Sequence, residues 1–144
     1  KNIRFKVIGD REKLDTDIVD LIESAEELTK ANCDLMLTIA LSYGGRRAIT
    51  LAAKELAYRA CKGTIKLDDI SEESFELVLE THGVPHPDLV IRTSGEKRIS
   101  NFLLWECAYS EFVFFDTLWP DFSGEHLTKA VQEYCNRERR FGAA

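Results

Sequence analysis

Residues 35–41 read Leu-Met-Leu-Thr-Ile-Ala-Leu, a nearly unbroken apolar run that leads into Ser-Tyr-Gly-Gly-Arg. The run is far too short to cross a bilayer, and it lacks the alternation of a sheet with one wet face. It suits a strand buried on both faces of a parallel sheet, so it commits the chain to an α/β design. The surrounding pattern agrees. Ile3, Phe5 and Val7 alternate with Arg4 and Lys6 and end at Gly9-Asp10, predicting a strand. Ile18, Leu21, Ile22, Ala25 and Leu28 repeat at helical spacing behind a capping Asp15-Thr16-Asp17. Helices are predicted over 46–61, closed by Gly63, and over 72–80. After Pro85 and Pro87 come a strand at 89–91, a helix at 101–108, a strand at 112–115, a turn at Trp119-Pro120 and a last helix from about Glu125. The expectation is one domain over residues 1–144, with an open, mostly parallel sheet and helices on both faces.

The net charge of −6 speaks against a broad nucleic-acid-binding face, which needs a surplus of Lys and Arg. Positive charge is nevertheless gathered at Arg46-Arg47, at Arg92/Lys97/Arg98 and at Arg137/Arg139/Arg140, so small anions remain possible ligands. Cys33, Cys61, Cys107 and Cys135 form no CxxC pair. They read as reduced core thiols, which points to the cytoplasm. No apolar run approaches the ~18–20 residues of a transmembrane helix. The chain starts at Lys1 without Met and enters a strand pattern almost at once, so we expect the C-terminal part of something longer.

Open parallel sheets bind ligands beyond the carboxyl ends of their strands. Residues 42–46, 93–100 and 116–121 occupy that position. Arg92 and Arg98 flank a Gly-containing loop, and two guanidinium forks can hold a diphosphate bidentately. Ser100 and Asn101 add neutral donors where a helix is expected to begin, and a helix N-terminus favours anions. The competing reading pairs both arginines with Glu96, Glu106 or Glu111 in a surface network. Glu111 could hold Mg²⁺ or be a solvated strand-end carboxylate. Gly44-Gly45-Arg46 lacks the Lys-Ser/Thr of a P-loop and reads as a close backbone turn. His82 and His86 are separated by Gly83 and Pro85, so they are loop residues rather than a helical metal pair. The Arg137–Arg140 cluster can complement the dipole at the end of the last helix.

Residues 91–122, IRTSGEKRISNFLLWECAYSEFVFFDTLWPDF, closely resemble the signature of the cis-prenyltransferases, the bacterial undecaprenyl diphosphate synthases being the nearest match. The likeness includes residues 3–10, Tyr43-Gly44-Gly45-Arg46 and the closing Asn136-Arg137-Glu138-Arg139-Arg140-Phe141-Gly142. It implies an open parallel sheet, a homodimer, and Mg²⁺-dependent addition of isopentenyl diphosphate to an allylic diphosphate, usually farnesyl diphosphate. Each new double bond is cis, and in bacteria the product becomes the lipid carrier for cell-wall sugars. It would be a cytoplasmic enzyme, peripheral at the membrane at most. By matched position, Arg92, Arg98 and Ser100 would hold isopentenyl diphosphate, and Asn101 lies beside them. Glu96 would order that site and act with Arg98 in catalysis, and Glu111 would be associated with Mg²⁺. Arg140 and Gly142 would reach the partner subunit's diphosphate site.

The chain also departs from the family pattern. The Asp-Gly-Asn-Gly-Arg-Trp-Ala and Phe-Ser-x-Glu-Asn motifs are not in it, and Ser42 replaces an Asn. These residues alone are therefore expected to be inactive. The alternative is a non-catalytic partner subunit of a heteromeric transferase.

Overall fold

The computed structural model describes residues 2–137. They fall into two compact units, divided between Val84 and Pro85. In the first unit β1 (Ile3–Ile8) and β2 (Leu35–Ala40) pair in parallel, with Ile3 opposite Leu35 and Ile8 opposite Ala40. Parallel strands need a crossover, which α1 (Thr16–Thr29) provides after an extended Asp15. α2 (Gly45–Cys61) follows β2 almost directly and stops at Gly63, which takes φ +71°. α3 (Glu72–Glu76) is held by a Ser71–Ser74 capping box, and turns replace the rest of the expected 72–80 helix. Val7, Ile8, Ile22, Ala48, Ala52, Leu56 and Leu79 are the unit's buried apolar residues.

The outer edge of β1 is closed by side chains. Thr29 Oγ1 accepts from Phe5 N–H at 3.0 Å, Glu26 Oε1 from Val7 N–H at 2.8 Å, and Glu80 Oε2 from Gly9 N–H at 2.8 Å. Asn32 Nδ2 donates to Ile3 O at 2.7 Å, and Arg11 Nη2 to Val7 O at 3.3 Å. Burial opposes ionisation of Glu26, yet bonds from Arg11 and from Val7 N–H hold its carboxyl below its ordinary value.

β2 corrects an expectation. Its apolar run was expected to be covered on both faces, but Leu35 is 58 % and Leu37 47 % exposed. β1 lies on one side of it, and nothing among the described residues pairs with the other. Periodicity reports what a strand is suited to, whereas burial depends on what is packed against it. The same holds for α1, where Ile22 is buried while Leu21 and Leu28 stay exposed.

In the second unit β3 (Leu89–Arg92) and β4 (Glu111–Phe114) pair in parallel, with Leu89 opposite Glu111. The helix expected at 101–108 is a succession of turns. Ser100, Asn101 and Leu103 take φ of 48°, 63° and 42°, and left-handed residues cannot propagate a right-handed helix. α4 (Gly124–Asn136) starts at a Ser123–His126 capping box and buries Ala130 completely, leaving Leu127 and Val131 about half exposed. All four cysteines are free, as expected, but Cys107 alone among them is buried, and burial pushes its thiol up. The other three are exposed rather than core. No helix among the described residues is long and apolar enough to cross a membrane.

Candidate functional site

Arg92 ends β3, and the chain then runs through a loop pinned to the end of β4. Ser94 N–H donates to Thr117 O at 2.8 Å, and Gly95 N–H to Phe115 O at 2.9 Å. Ser94 and Gly95 are both left-handed, at φ 68° and 70°. A non-glycine residue in that region carries a cost of order 1–2 kcal/mol. Such strain concentrates where a loop is shaped for a ligand.

The loop brings Arg92, Glu96, Arg98 and Ser100 together. Arg92 Nη1 donates to Ser100 Oγ at 2.8 Å and to the Arg98 carbonyl. Arg98 Nη2 pairs with Glu96 Oε2 at 2.8 Å, its side chain 67 % exposed. The competing reading, a surface ion-pair network, holds for Arg98 with Glu96 and not for Arg92. The two arginines lie on one loop, and one of them is ion-paired. Arg92 is locked to the loop's own backbone, while Arg98 keeps most of its fork in solvent. Asn101 follows directly in a left-handed conformation. The helix N-terminus expected to help Ser100 and Asn101 bind an anion is replaced by turns.

A pocket of about 180 Å³ opens here, with apolar walls from Val90, Ile91, Ile99, Phe102 and Phe112 beside Arg92, Arg98 and Ser100. Whole-ligand pockets run to roughly 300–1,000 Å³, so this one takes part of a ligand. Its lining suits a small hydrocarbon joined to an anionic head. A larger cleft of about 460 Å³ in the first unit is lined by charges of both signs. Arg11–Glu26 and Lys30–Glu27 are already paired there, which leaves little net attraction for an anion.

Glu111 is the first residue of β4. Its Oε2 accepts from Arg137 Nη1 at 2.6 Å, and Arg137 Nη2 donates to Phe112 O at 2.8 Å and to Glu133. The bonds to Glu111 and Glu133 raise the Arg137 pKa above its ordinary value. Sequence reasoning missed this clamp, because a pair 26 residues apart leaves no local signal. For Mg²⁺, Glu111 is a donor of the right class. It is already ion-paired, and no group of three or more possible ligands gathers among the described residues. It fits only as one member of a set completed by oxygens from elsewhere, such as substrate phosphates. Arg140 and Gly142 lie outside the described residues. His82 and His86 are in turn and loop segments.

Residues 1–142 match the profile of the prenyltransferase family described as "Putative undecaprenyl diphosphate synthase". An isoprenyl transferase of Agrobacterium fabrum is 48% identical over 99% of this chain and 58% of its own length. The ditrans,polycis-undecaprenyl-diphosphate synthase of Micrococcus luteus, specific for (2E,6E)-farnesyl diphosphate, is 48% identical over 99% of this chain and 57% of its own. Among solved structures, lavandulyl diphosphate synthase from Lavandula x intermedia, in complex with dimethylallyl diphosphate, superposes with a TM-score of 0.94. It is 41% identical, over 97% of this chain and 60% of its own. A probable undecaprenyl diphosphate synthase from Campylobacter jejuni has a TM-score of 0.82 at 36% identity, over 98% of this chain and 64% of its own. The chain thus spans a little over half the length of the curated relatives it matches. With its parallel strand pairs, its arginine loop and these likenesses, the chain belongs to the undecaprenyl diphosphate synthase family of prenyltransferases.

Proposed function

We propose that this chain carries the isopentenyl diphosphate side of a cis-prenyltransferase that extends an allylic starter, farnesyl diphosphate, toward undecaprenyl diphosphate. The observation that supports it best is the pairing of a cationic loop with an apolar pocket. Isopentenyl diphosphate has that same division, a five-carbon hydrocarbon on a highly charged head.

In the reaction a carbon–carbon bond forms between the two substrates. The allylic carbon–oxygen bond breaks to release diphosphate, and the isopentenyl unit loses a proton. Arg98, largely exposed though paired with Glu96, binds the isopentenyl diphosphate and neutralises it. Ser100 adds a hydroxyl. Arg92 holds the loop in shape through Ser100 and the Arg98 carbonyl, so the site is set before substrate arrives. Glu96 orients Arg98 through their ion pair. Val90, Ile99 and Phe102 exclude water around the hydrocarbon, and the fixed register of the two substrates lowers the barrier further. Mg²⁺, when bound with the phosphates, would neutralise charge on the departing diphosphate, and Glu111 is the residue that would help hold it. Arg140 and Gly142 would complete the site of a second subunit in a homodimer. The enzyme would work in the cytoplasm beside the membrane that receives its lipid product for cell-wall synthesis.

The test is incorporation of labelled isopentenyl diphosphate into lipid-soluble product by the whole protein, supplied with farnesyl diphosphate and Mg²⁺. Arg98→Ala is expected to raise KM for isopentenyl diphosphate and lower kcat, for a loss of roughly tenfold to a hundredfold in kcat/KM. Unchanged constants would remove Arg98 from the site. The 144 residues alone are expected to give no turnover, and product formed by a verified 144-residue chain would overturn that expectation.

A further inference from the structure

We infer that His126 is a positioning residue for isopentenyl diphosphate, because through Thr117 and Phe115 it fixes the loop that carries Glu96 and Arg98. The inference rests on the assignment of that substrate to the loop, and it adds a residue from outside the loop. The loop needs fastening. Ser94 and Gly95 are both left-handed, and such strain persists only where the surroundings over-determine it. Two hydrogen bonds hold the pair, from Ser94 N–H to Thr117 O at 2.8 Å and from Gly95 N–H to Phe115 O at 2.9 Å. The two acceptors are not equally secure. Phe115 N–H donates to Arg92 O at 2.9 Å and so extends the ladder between β3 and β4. Thr117 lies in a bend beyond the end of β4, where among the described residues no strand pairs with it. What holds it there is His126, whose Nε2 lies 3.1 Å from Thr117 Oγ1.

His126 is itself fixed from several sides. Its Nδ1 accepts from Ser123 N–H at 3.1 Å and lies 2.9 Å from Ser123 Oγ. A backbone N–H can only donate, so Nδ1 carries no proton and the neutral ring has its proton on Nε2. Nε2–H therefore donates to the Thr117 hydroxyl. The ring stacks on Phe122, with 5.5 Å between centroids, and meets Phe115 edge-on at 5.6 Å. Phe122 in turn stacks with Trp119 and meets Phe115 edge-on.

One imidazole thus bonds to one of the two residues whose carbonyls hold the loop, and packs on the other. Capping α4 does not account for this. A capping box asks only for an acceptor at this position, which Glu or Gln commonly supplies. The ring's second nitrogen is surplus to the cap, and it is spent on Thr117.

Steady-state kinetics of the whole protein, supplied with farnesyl diphosphate and Mg²⁺, test this with two changes at Thr117. Thr117→Val removes the hydroxyl and leaves the cap and ring contacts of His126 in place. It is expected to raise KM for isopentenyl diphosphate roughly fivefold, the worth of one hydrogen bond, with kcat and KM for farnesyl diphosphate within about twofold. Thr117→Ser keeps the hydroxyl and is expected to bring KM back to within about twofold of wild type. An unchanged KM in Thr117→Val would overturn the inference, and so would an equal rise in Thr117→Ser. The wild-type rate separates the two questions. Absence of turnover by wild type would overturn the assigned substrate and the inference with it, whereas turnover with indifferent Thr117 variants would overturn the inference alone. The nitrogen chemical shifts of the His126 ring give a reading free of activity. The Nε2–H tautomer is expected, and a neutral ring with its proton on Nδ1 would also overturn the inference.

Discussion

The turn after β2 and the loop after β3 both leave the carboxyl end of a parallel strand, yet they are built for different ends. The first is short and rich in glycine. Ser42 takes φ 52°, and within three residues the chain is in α2. Gly9 stands against it at φ 118°, where a Cβ would overlap the Leu41 carbonyl. Asp10 sits beside it with little exposure, paired with Arg47 at 3.1 Å and Lys13 at 3.4 Å. The second loop is long and puts its left-handed geometry on Ser94, Ser100, Asn101 and Leu103 as well as Gly95. Gly9 marks close packing, and Ser42 is the one left-handed residue of the first turn. Strain carried by side-chain-bearing residues, whose polar groups then converge, marks the site.

Substitutions can break or sharpen that contrast. The largest effect is expected for Gly9→Ala, which meets both the Leu41 carbonyl and a disfavoured φ. It should cost about 3 kcal/mol or more, seen as a lower urea midpoint or loss of folded protein. Arg92→Lys comes next. It keeps the charge but loses the fork that spans Ser100 and the Arg98 carbonyl, so kcat/KM for isopentenyl diphosphate should fall about tenfold with little change in melting temperature. A fall in melting temperature without a kinetic effect would assign Arg92 to scaffolding alone. Gly95→Ala is a milder counterpart of Gly9→Ala, because its Cβ would lie 3.4 Å from Asp116 Oδ1, an ordinary contact. Only the φ penalty remains, about 1 kcal/mol by denaturant titration. The smallest effects are expected from Ser42→Gly and Ser94→Gly, each relieving strain and shifting stability by roughly 0.5 kcal/mol. Activity should change for Ser94→Gly alone, and equal kinetics for the two would dissolve the distinction between the turns.

Much of this was legible in the residues. The alternation of Ile3, Phe5 and Val7, the helical repeat after Asp17 and the apolar run at 35–41 are local patterns, and they yielded β1, α1 and β2. Arg92, Arg98 and Ser100 share one loop because eight residues after a strand end cannot stray far. What escaped was relational. The exposure of β2 depends on a neighbour, not on its own side chains. The turns at 101–108 replace a helix because Ser100, just before them, and Asn101 and Leu103 within them have positive φ, which Phe-Leu-Leu-Trp does not announce. Glu26 and Thr29 look like ordinary residues of a helix until β1 lies beside them. The Glu111–Arg137 pair joins the start of a strand to the end of a helix.

The closed edge of β1 also bears on how the chain folds. Its side-chain contacts reach only 19 to 29 residues along the sequence for Glu26, Thr29 and Asn32. Loops of that length close quickly, so β1, α1 and β2 can form an early nucleus. In such a nucleus the Glu26 and Thr29 side chains of α1 shut the outer side of β1 as the helix docks. The outer backbone of β1 is then satisfied without a strand beside it. A helix face, with Asn32 and Glu80 beside it, thus takes the place that a neighbouring strand would fill.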